Sequence, residues 1–307
     1  MVRNSDALSV VRSTRYNFGD RLSAFCADQL SEEFTKITGE FRISPEEGHD
    51  RRNGPHATTL TQQESIIRTT ELPKIQTIVR RNLESIRIRI EQACSVCGRS
   101  PNDLQLVAVT KYAKWPWVQA LAEFHSIFGE SRPQQLAERQ PQLPDIQGHL
   151  IGQLQRNKAR LAVRHAAVIH SVDSLRLLER LNVVAQESNR TLQVLLQVNI
   201  AGEASKSGFD PNSLPESWES IVEAAGTQLN LTGLMTMAPQ SDSPESARPV
   251  FAKLATLRQQ LNSRSGQAEL TELSMGMSND FEVAIEEGAT LIRVGRSLFD
   301  GLPAAGE

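Results

Sequence analysis

The sequence has little that would tie it to a membrane, a nucleic acid or an oxidising compartment. No apolar run approaches the roughly 18 residues that suggest a membrane span. The opening stretch, Met1 to Asp20, is polar and mixed in charge, without the apolar h-region of a secretory signal. Cysteine is scarce. Cys26, Cys94 and Cys97 are the three in 307 residues, an odd count that does not read as a disulfide framework and leaves a reducing cytoplasm as the expected location. Cys94 and Cys97 have CxxC spacing, but no second Cys or His pair follows closely. They sit near the end of a helical pattern, and two small residues at a helix end is the preferred reading over a metal or redox site. Charge of one sign is lacking as well. With 33 Lys and Arg against 36 Asp and Glu, the net charge of −3 carries no basic footprint for nucleic acid. Aromatic residues make up 5%, so a core of Leu, Val, Ile and Ala is expected.

The chain divides by pattern. Residues 1–71 are rich in Arg, Ser, Thr and Glu, and Ser44 to Pro55 is a dense run of chain breakers. This segment is expected to be a largely disordered extension with one short helix near Ala24 to Ile37. From Leu72 a regular alternation begins. Ile78, Val79, Leu83, Ile86 and Ile90 have helical spacing. Short apolar runs then alternate with helical stretches. The runs begin at Leu104, Ser126, His149, Ala167, Val194, Leu231, Glu272 and Leu291. Continuously apolar strands suggest a parallel sheet buried on both faces. Residues 72–307 therefore read as an α/β fold, a TIM-type (β/α)8 barrel. A doubly wound sheet shares the alternation and stays open, although no GxGxxG turn follows the first strand.

In such a barrel the chemistry collects where strands end. Lys111 lies there, in Val107-Ala-Val-Thr-Lys111. It is either a solvated rim residue or a Schiff-base amine, whose nucleophilic form desolvation would favour. The loops after strands seven and eight often bind phosphate. Here they are Ser274-Met-Gly-Met-Ser278 and Gly295-Arg296-Ser297. Ser278 is placed to cap the helix that follows, and Gly276 to let the backbone approach closely. Arg293, inside the eighth run, would point inward by alternation, which is costly without a partner. It serves either a structural salt bridge or a ligand.

These pieces together resemble a known family. Ala108-Val-Thr-Lys111, Phe128-Gly-Glu130, His149 through Lys158, Gln197-Val-Asn199 with Glu203, Lys206 and Gly208, Gly233-Leu-Met235, Leu273 through Glu282, and Ile292-Arg-Val-Gly295 fall in the order of the pyridoxal-phosphate homeostasis proteins, which are similar to the N-terminal barrel of alanine racemase. The resemblance covers about Leu72 to Leu302, and the Ser-Met-Gly-Met-Ser-x-Asp stretch is its most specific part. It implies pyridoxal 5′-phosphate (PLP) on Lys111, phosphate contacts from Ser278, Gly295 and Arg296, Arg293 facing the pyridine nitrogen, and Asn199, His149 and Met235 lining the pocket. It also implies a role in balancing vitamin B6, with PLP-dependent apo-enzymes as candidate recipients and no membrane or nucleic-acid partner. Three positions depart from the family: Ser131 stands for Asn, Gly148 for Trp, and Arg296 for a small residue.

The alternative is a PLP-dependent amino-acid racemase or a related enzyme. Racemisation needs an acid/base on each face of the substrate. In alanine racemase the second comes from a tyrosine in another, β-rich domain. Here the tyrosines are Tyr16, in the extension, and Tyr112, adjacent to the lysine, and the chain is expected to stop soon after the barrel. An Arg at the pyridine nitrogen also disfavours its protonation, which weakens the ring as an electron sink. The expectation is therefore a cofactor-holding protein, monomeric or weakly dimeric, with no committed catalytic activity.

Overall fold

The computed structural model describes residues 57–203, 206–264 and 269–303, with side chains described from residue 71. Contacts divide the chain into Met1–Gly54 and Pro55–Glu307. The first unit, including the short helix expected at 24–37, lies outside the described residues.

The second unit begins with a long helix, α1 (Ala57–Val96). It starts well before the pattern that opens at Leu72. No glycine interrupts the sequence from Ala57 to Val96, and the single breaker, Pro73, lies within the helix. The part of the expected disordered extension that falls on 57–71 is thus helical. Seven strand–helix units follow: β1 (Gln105–Val109) and α2 (Trp115–Ala122), β2 (Ile127–Glu130) and α3 (Pro133–Arg139), β3 (Gln147–Leu150) and α4 (Ala159–His165), β4 (Val168–Val172) and α5 (Leu175–Glu187), β5 (Leu192–Gln197) and α6 (Trp218–Ala225), β6 (Leu229–Met235) and α7 (Arg248–Asn262), and β7 (Glu272–Ser274) and α8 (Phe281–Glu286). The last strand is β8 (Leu291–Val294).

The eight strands close into one barrel in sequence order. Closure is direct: β8 pairs in parallel with β1, from Leu291 opposite Gln105 to Val294 opposite Ala108. That pairing excludes the doubly wound alternative, whose sheet has two free edges. All eight expected runs become strands. They are buried on both faces, as β4 illustrates with five buried residues in succession, because helices cover the outside and side chains fill the inside. Outward residues such as Ala108, Phe128, Leu150, Ile169, Leu196 and Ile292 join the main core with the helices. Inward residues Val107, Val168, Leu195, Met235 and Leu291 form a separate small cluster inside the barrel.

The helices bury one stripe each. In α5, Leu177, Leu178, Leu181, Val184 and Ala185 are buried, the spacing of a single helical face. Helix α1 does the same with Val79, Leu83, Ile86, Ile90 and Ala93. It packs against both α2 and α8. The first described helix therefore closes the outer ring at the place where a helix after β8 would stand. The buried Asn82 of α1 ties this arrangement to the end of the barrel, donating from Nδ2 to the carbonyls of Leu298 at 3.2 Å and Asp300 at 2.8 Å.

Among the described residues, no helix is long and apolar enough to cross a membrane, and no group of three or more His, Cys, Asp or Glu could hold a metal ion. Cys94 is buried in α1, and Cys97, just past the helix end, directs its thiol to the Ala93 carbonyl at 3.3 Å.

Candidate functional site

A cavity of about 1090 Å³ opens at the end of the barrel where the strands finish. Lys111, Ser278, Arg293, Gly295 and Arg296 all line it. The chain has separated these residues by up to 185 positions, and barrel closure brings them together because β1 is hydrogen-bonded to β8.

Lys111 follows β1 by two residues and is exposed at the cavity. Its Nζ lies 5.0 Å from the ring centroid of the exposed Tyr112. The turn that carries it is held from below. Arg139 at the end of α3 donates to the carbonyls of Thr110 and Ala113, each at 2.9 Å. These are the positions immediately before and two after Lys111. Arg139 also pairs with Glu130, whose Oε1 accepts from the Thr110 hydroxyl at 2.5 Å. Glu130 is 1% exposed. Burial pushes its carboxyl above the usual range, against the opposing pull of Thr110 and Arg139. Its other oxygen, Oε2, has no hydrogen-bond partner. Sequence reasoning missed Arg139, because an ion pair between a strand end and the helix after it leaves no fixed spacing to read.

The two late loops meet across the cavity. Ser278 Oγ lies 3.5 Å from the Gly295 amide, which points its N–H toward it. Ser278 is not the cap of α8. That helix is six residues long and begins at Phe281 after Asp280. Asp280 turns its carboxylate back to accept the Met277 amide at 2.6 Å. This folds 277–280 into a turn that sets Ser278 at the cavity and not on the helix axis. Gly276 is required as expected: its φ is +89°, and a Cβ there would come within 2.6 Å of the Ala284 Cβ. At Gly295 a Cβ would meet Val109 Cβ at 3.1 Å. Glycine thus lets the end of β8 approach β1 just before Lys111.

Arg293 is buried and points inward. In place of a salt bridge it donates to the Ser274 hydroxyl at 2.5 Å and the Thr236 carbonyl at 2.9 Å. Burial lowers its pKa to about 10, opposed in part by Asp280. Arg296 adds a second guanidinium to the same wall.

Three other sequence candidates do not line this cavity. Met235 belongs to the apolar cluster inside the barrel. Asn199, just after β5, holds the following loop, donating to the carbonyls of Glu203 at 2.9 Å and Lys206 at 3.1 Å. His149 lies deeper, lining a polar cavity of about 140 Å³ at the other end of the barrel with Gln105, Gln147, Gln193 and Glu272. Its Nδ1 is 2.9 Å from Nε2 of His170, whose Nδ1 is 2.8 Å from Ser274 Oγ. Of the departures noted, Ser131 lines the mouth cavity. Gly148 leaves no hole, because a Cβ there would lie 2.4 Å from Leu136 Cδ1. Leu136 and Gln140 fill the space a larger residue would take.

The mouth cavity thus combines a primary amine, a hydroxyl beside a backbone amide, and two guanidinium groups. Such a set suits a phosphorylated molecule with an electrophilic carbon.

Comparison with known proteins is consistent with the geometry. Residues 82–303 match the family described as alanine racemase, N-terminal domain. The chain is 37% identical over 223 residues to a pyridoxal phosphate homeostasis protein of Aquifex aeolicus, covering 71% of this chain and 95% of that one. The structure of PipY from Synechococcus elongatus PCC7942, solved with PLP bound, is 38% identical, with a TM-score of 0.60 over 69% of this chain and 99% of PipY. An alanine racemase of Clostridium difficile 630 is 14% identical with a TM-score of 0.57, which shows a shared fold alone. The chain belongs to the pyridoxal phosphate homeostasis protein family, whose barrel is that of the alanine racemase N-terminal domain.

Proposed function

We propose that this protein binds PLP in the mouth cavity as a Schiff base on Lys111, and serves to hold and balance the cofactor inside the cell, not to turn over a substrate. One observation carries the reading: Lys111, Ser278, Arg293, Gly295 and Arg296 line a single cavity although they come from opposite ends of the barrel sequence. Ser278, the Gly295 region and Arg296 would hold the phosphate. Arg293 would face the pyridine nitrogen, where its positive charge discourages ring protonation. A bound ring would also cover Lys111, which is exposed at the cavity. Asn199 and Met235 would act at one remove, by shaping the loop and the floor beneath the ring.

The residues fit a carrier better than a racemase. A racemase requires a second acid/base on the face opposite the lysine. Among the described residues the tyrosine available is Tyr112, which is adjacent to Lys111, 82% exposed, and in contact with the lysine amine. It stands beside the first base and cannot serve the opposite face from there. We assign PLP binding to residues 72–307, with a cytoplasmic location and PLP-dependent apo-enzymes as recipients.

Titration of PLP into the purified protein tests the reading. Saturation at one PLP per chain, with a new absorbance band that Lys111→Ala loses, is expected. Incubation of the loaded protein with L- and D-amino acids, followed by chiral analysis, tests the carrier role. Interconversion at the rates of an enzyme, roughly 1 s⁻¹ or above, would overturn it.

A further inference from the structure

The geometry points to Ser274, His170 and His149 as positioning residues for Arg293, joined in a hydrogen-bond chain of one polarity that crosses the barrel interior and fixes the guanidinium in the mouth cavity. The inference rests on the reading that Arg293 faces the ring of bound PLP.

All four side chains are enclosed. Ser274 and His170 are 0% exposed, His149 2% and Arg293 5%. They come from β7, β4, β3 and β8. The contacts run from Arg293 Nη1 to Ser274 Oγ at 2.5 Å, from Ser274 Oγ to His170 Nδ1 at 2.8 Å, and from His170 Nε2 to His149 Nδ1 at 2.9 Å. The middle contact spans the interior, because β4 and β7 are not neighbours in the sheet.

The polarity follows from the donors available. A guanidinium has no acceptor, so Arg293 donates to Ser274 Oγ. The serine hydroxyl has one hydrogen. Among the described residues the acceptor it meets is His170 Nδ1, and a buried hydroxyl hydrogen without a partner is costly. Nδ1 of His170 is therefore bare and its hydrogen sits on Nε2. That hydrogen goes to Nδ1 of His149, which leaves the hydrogen of His149 on its own Nε2. Both rings must be neutral for this order. Burial keeps them so, lowering His149 to about 4 and His170 well below its usual value, with the nearby positive charge of Arg293 acting in the same direction on His170.

The consequence is mechanical. A lone arginine in a cavity wall can swing among rotamers. Here one N–H is held by a serine whose own orientation is set by two hydrogen-bonded imidazoles, and a second by the Thr236 carbonyl at 2.9 Å. The guanidinium plane is fixed before any ligand arrives, which reduces the ordering cost of binding. This also gives His149 a role that its position beneath the cavity would otherwise leave unexplained.

Two measurements on the full-length protein test the chain. Side-chain 15N NMR without PLP, at pH 7.5, is expected to show His149 and His170 each protonated on Nε2 and bare on Nδ1, with assignments from His149→Gln and His170→Gln. Protonation of His170 on Nδ1 would overturn the polarity. On the PLP-loaded protein, Ser274→Ala is expected to shift the cofactor absorbance band in the same direction as Arg293→Ala, and the double variant no further than Arg293→Ala alone. Ser274→Thr, which keeps the hydroxyl, should return the band toward the unsubstituted position. A Ser274→Ala band at the unsubstituted position, with Arg293→Ala displaced, would refute the positioning role. An unmoved band in Arg293→Ala would instead refute the placement of Arg293 against the ring, and an unsubstituted protein with no band would refute PLP binding itself. If Ser274→Ala does not fold, the NMR result still decides the polarity.

Discussion

Arg139→Met tests the claim that the Lys111 turn is held by a buried ion pair. The substitution keeps much of the length of the side chain and removes the charge. Glu130 is then left 1% exposed with Thr110 as its remaining hydrogen-bond donor. Breaking one partner of a buried pair typically costs about 3–5 kcal/mol. The Ala113 carbonyl also loses its donor, while the Thr110 carbonyl keeps the Ala113 amide at 2.9 Å. The prediction is therefore a loss of about 3–5 kcal/mol at pH 8, read by urea unfolding of PLP-free protein. The pH dependence has a definite sign. Burial already raises Glu130 above its unfolded value, and Arg139 opposes that rise. Without Arg139 the folded pKa climbs further, so the folded state holds a proton that the unfolded state releases. Stability contributed this way is present at low pH and lost as pH rises through the folded pKa. Arg139→Met should recover part of its stability between pH 8 and pH 5, and Glu130→Gln with Arg139→Met should sit close to the unsubstituted protein and lack that recovery. A loss under about 1 kcal/mol with no dependence on pH would show that the pair does not carry the turn.

Other outcomes follow from single contacts. Asn82→Ala removes two bonds from α1 to the segment after β8 and should cost about 1–3 kcal/mol, with faster amide exchange at 298–302. Gly276→Ala places a methyl 2.6 Å from Ala284 Cβ at a φ of +89°; urea unfolding should show a loss of about 2 kcal/mol or more, together with weaker PLP retention. Because burial holds His149 at about 4 against an ordinary 6.5, the unfolded state binds the proton first on acidification. Stability should fall as the pH is lowered from about 7 toward 4, and His149→Gln should flatten that slope. A protein lacking residues 1–70 would keep Pro73 near the start of α1, where proline is tolerated, and should bind PLP as the full chain does.

Much of the fold was legible because its signal is local. Each strand is a short apolar run, and each outer helix carries a stripe such as Leu177, Leu178, Leu181, Val184 and Ala185. Closure was not legible. Alternation is the same in an open sheet, and the pairing of Leu291 with Gln105 depends on residues far apart in sequence. Nor was the placing of α1 as the helix that completes the ring, since its apolar spacing says that it packs but not against what. At the site, glycines and the lysine announced themselves, because Gly276 needs its positive φ and Lys111 lies two residues past an apolar strand. The cap assigned to Ser278 was displaced by a competitor two residues on, where Asp280 takes the Met277 amide. The helpers were silent. Arg139 and His170 reach the site through a helix end and the barrel interior, and no short motif records such contacts.

The central claim is that Lys111 carries the cofactor. Borohydride reduction of the PLP-loaded full-length protein, followed by proteolysis and mass spectrometry, tests it most directly. The account predicts a single reduced phosphopyridoxyl adduct on Lys111, absent from Lys111→Ala. An adduct on another lysine with Lys111 unmodified, such as Lys206 on the same cavity wall, would contradict it.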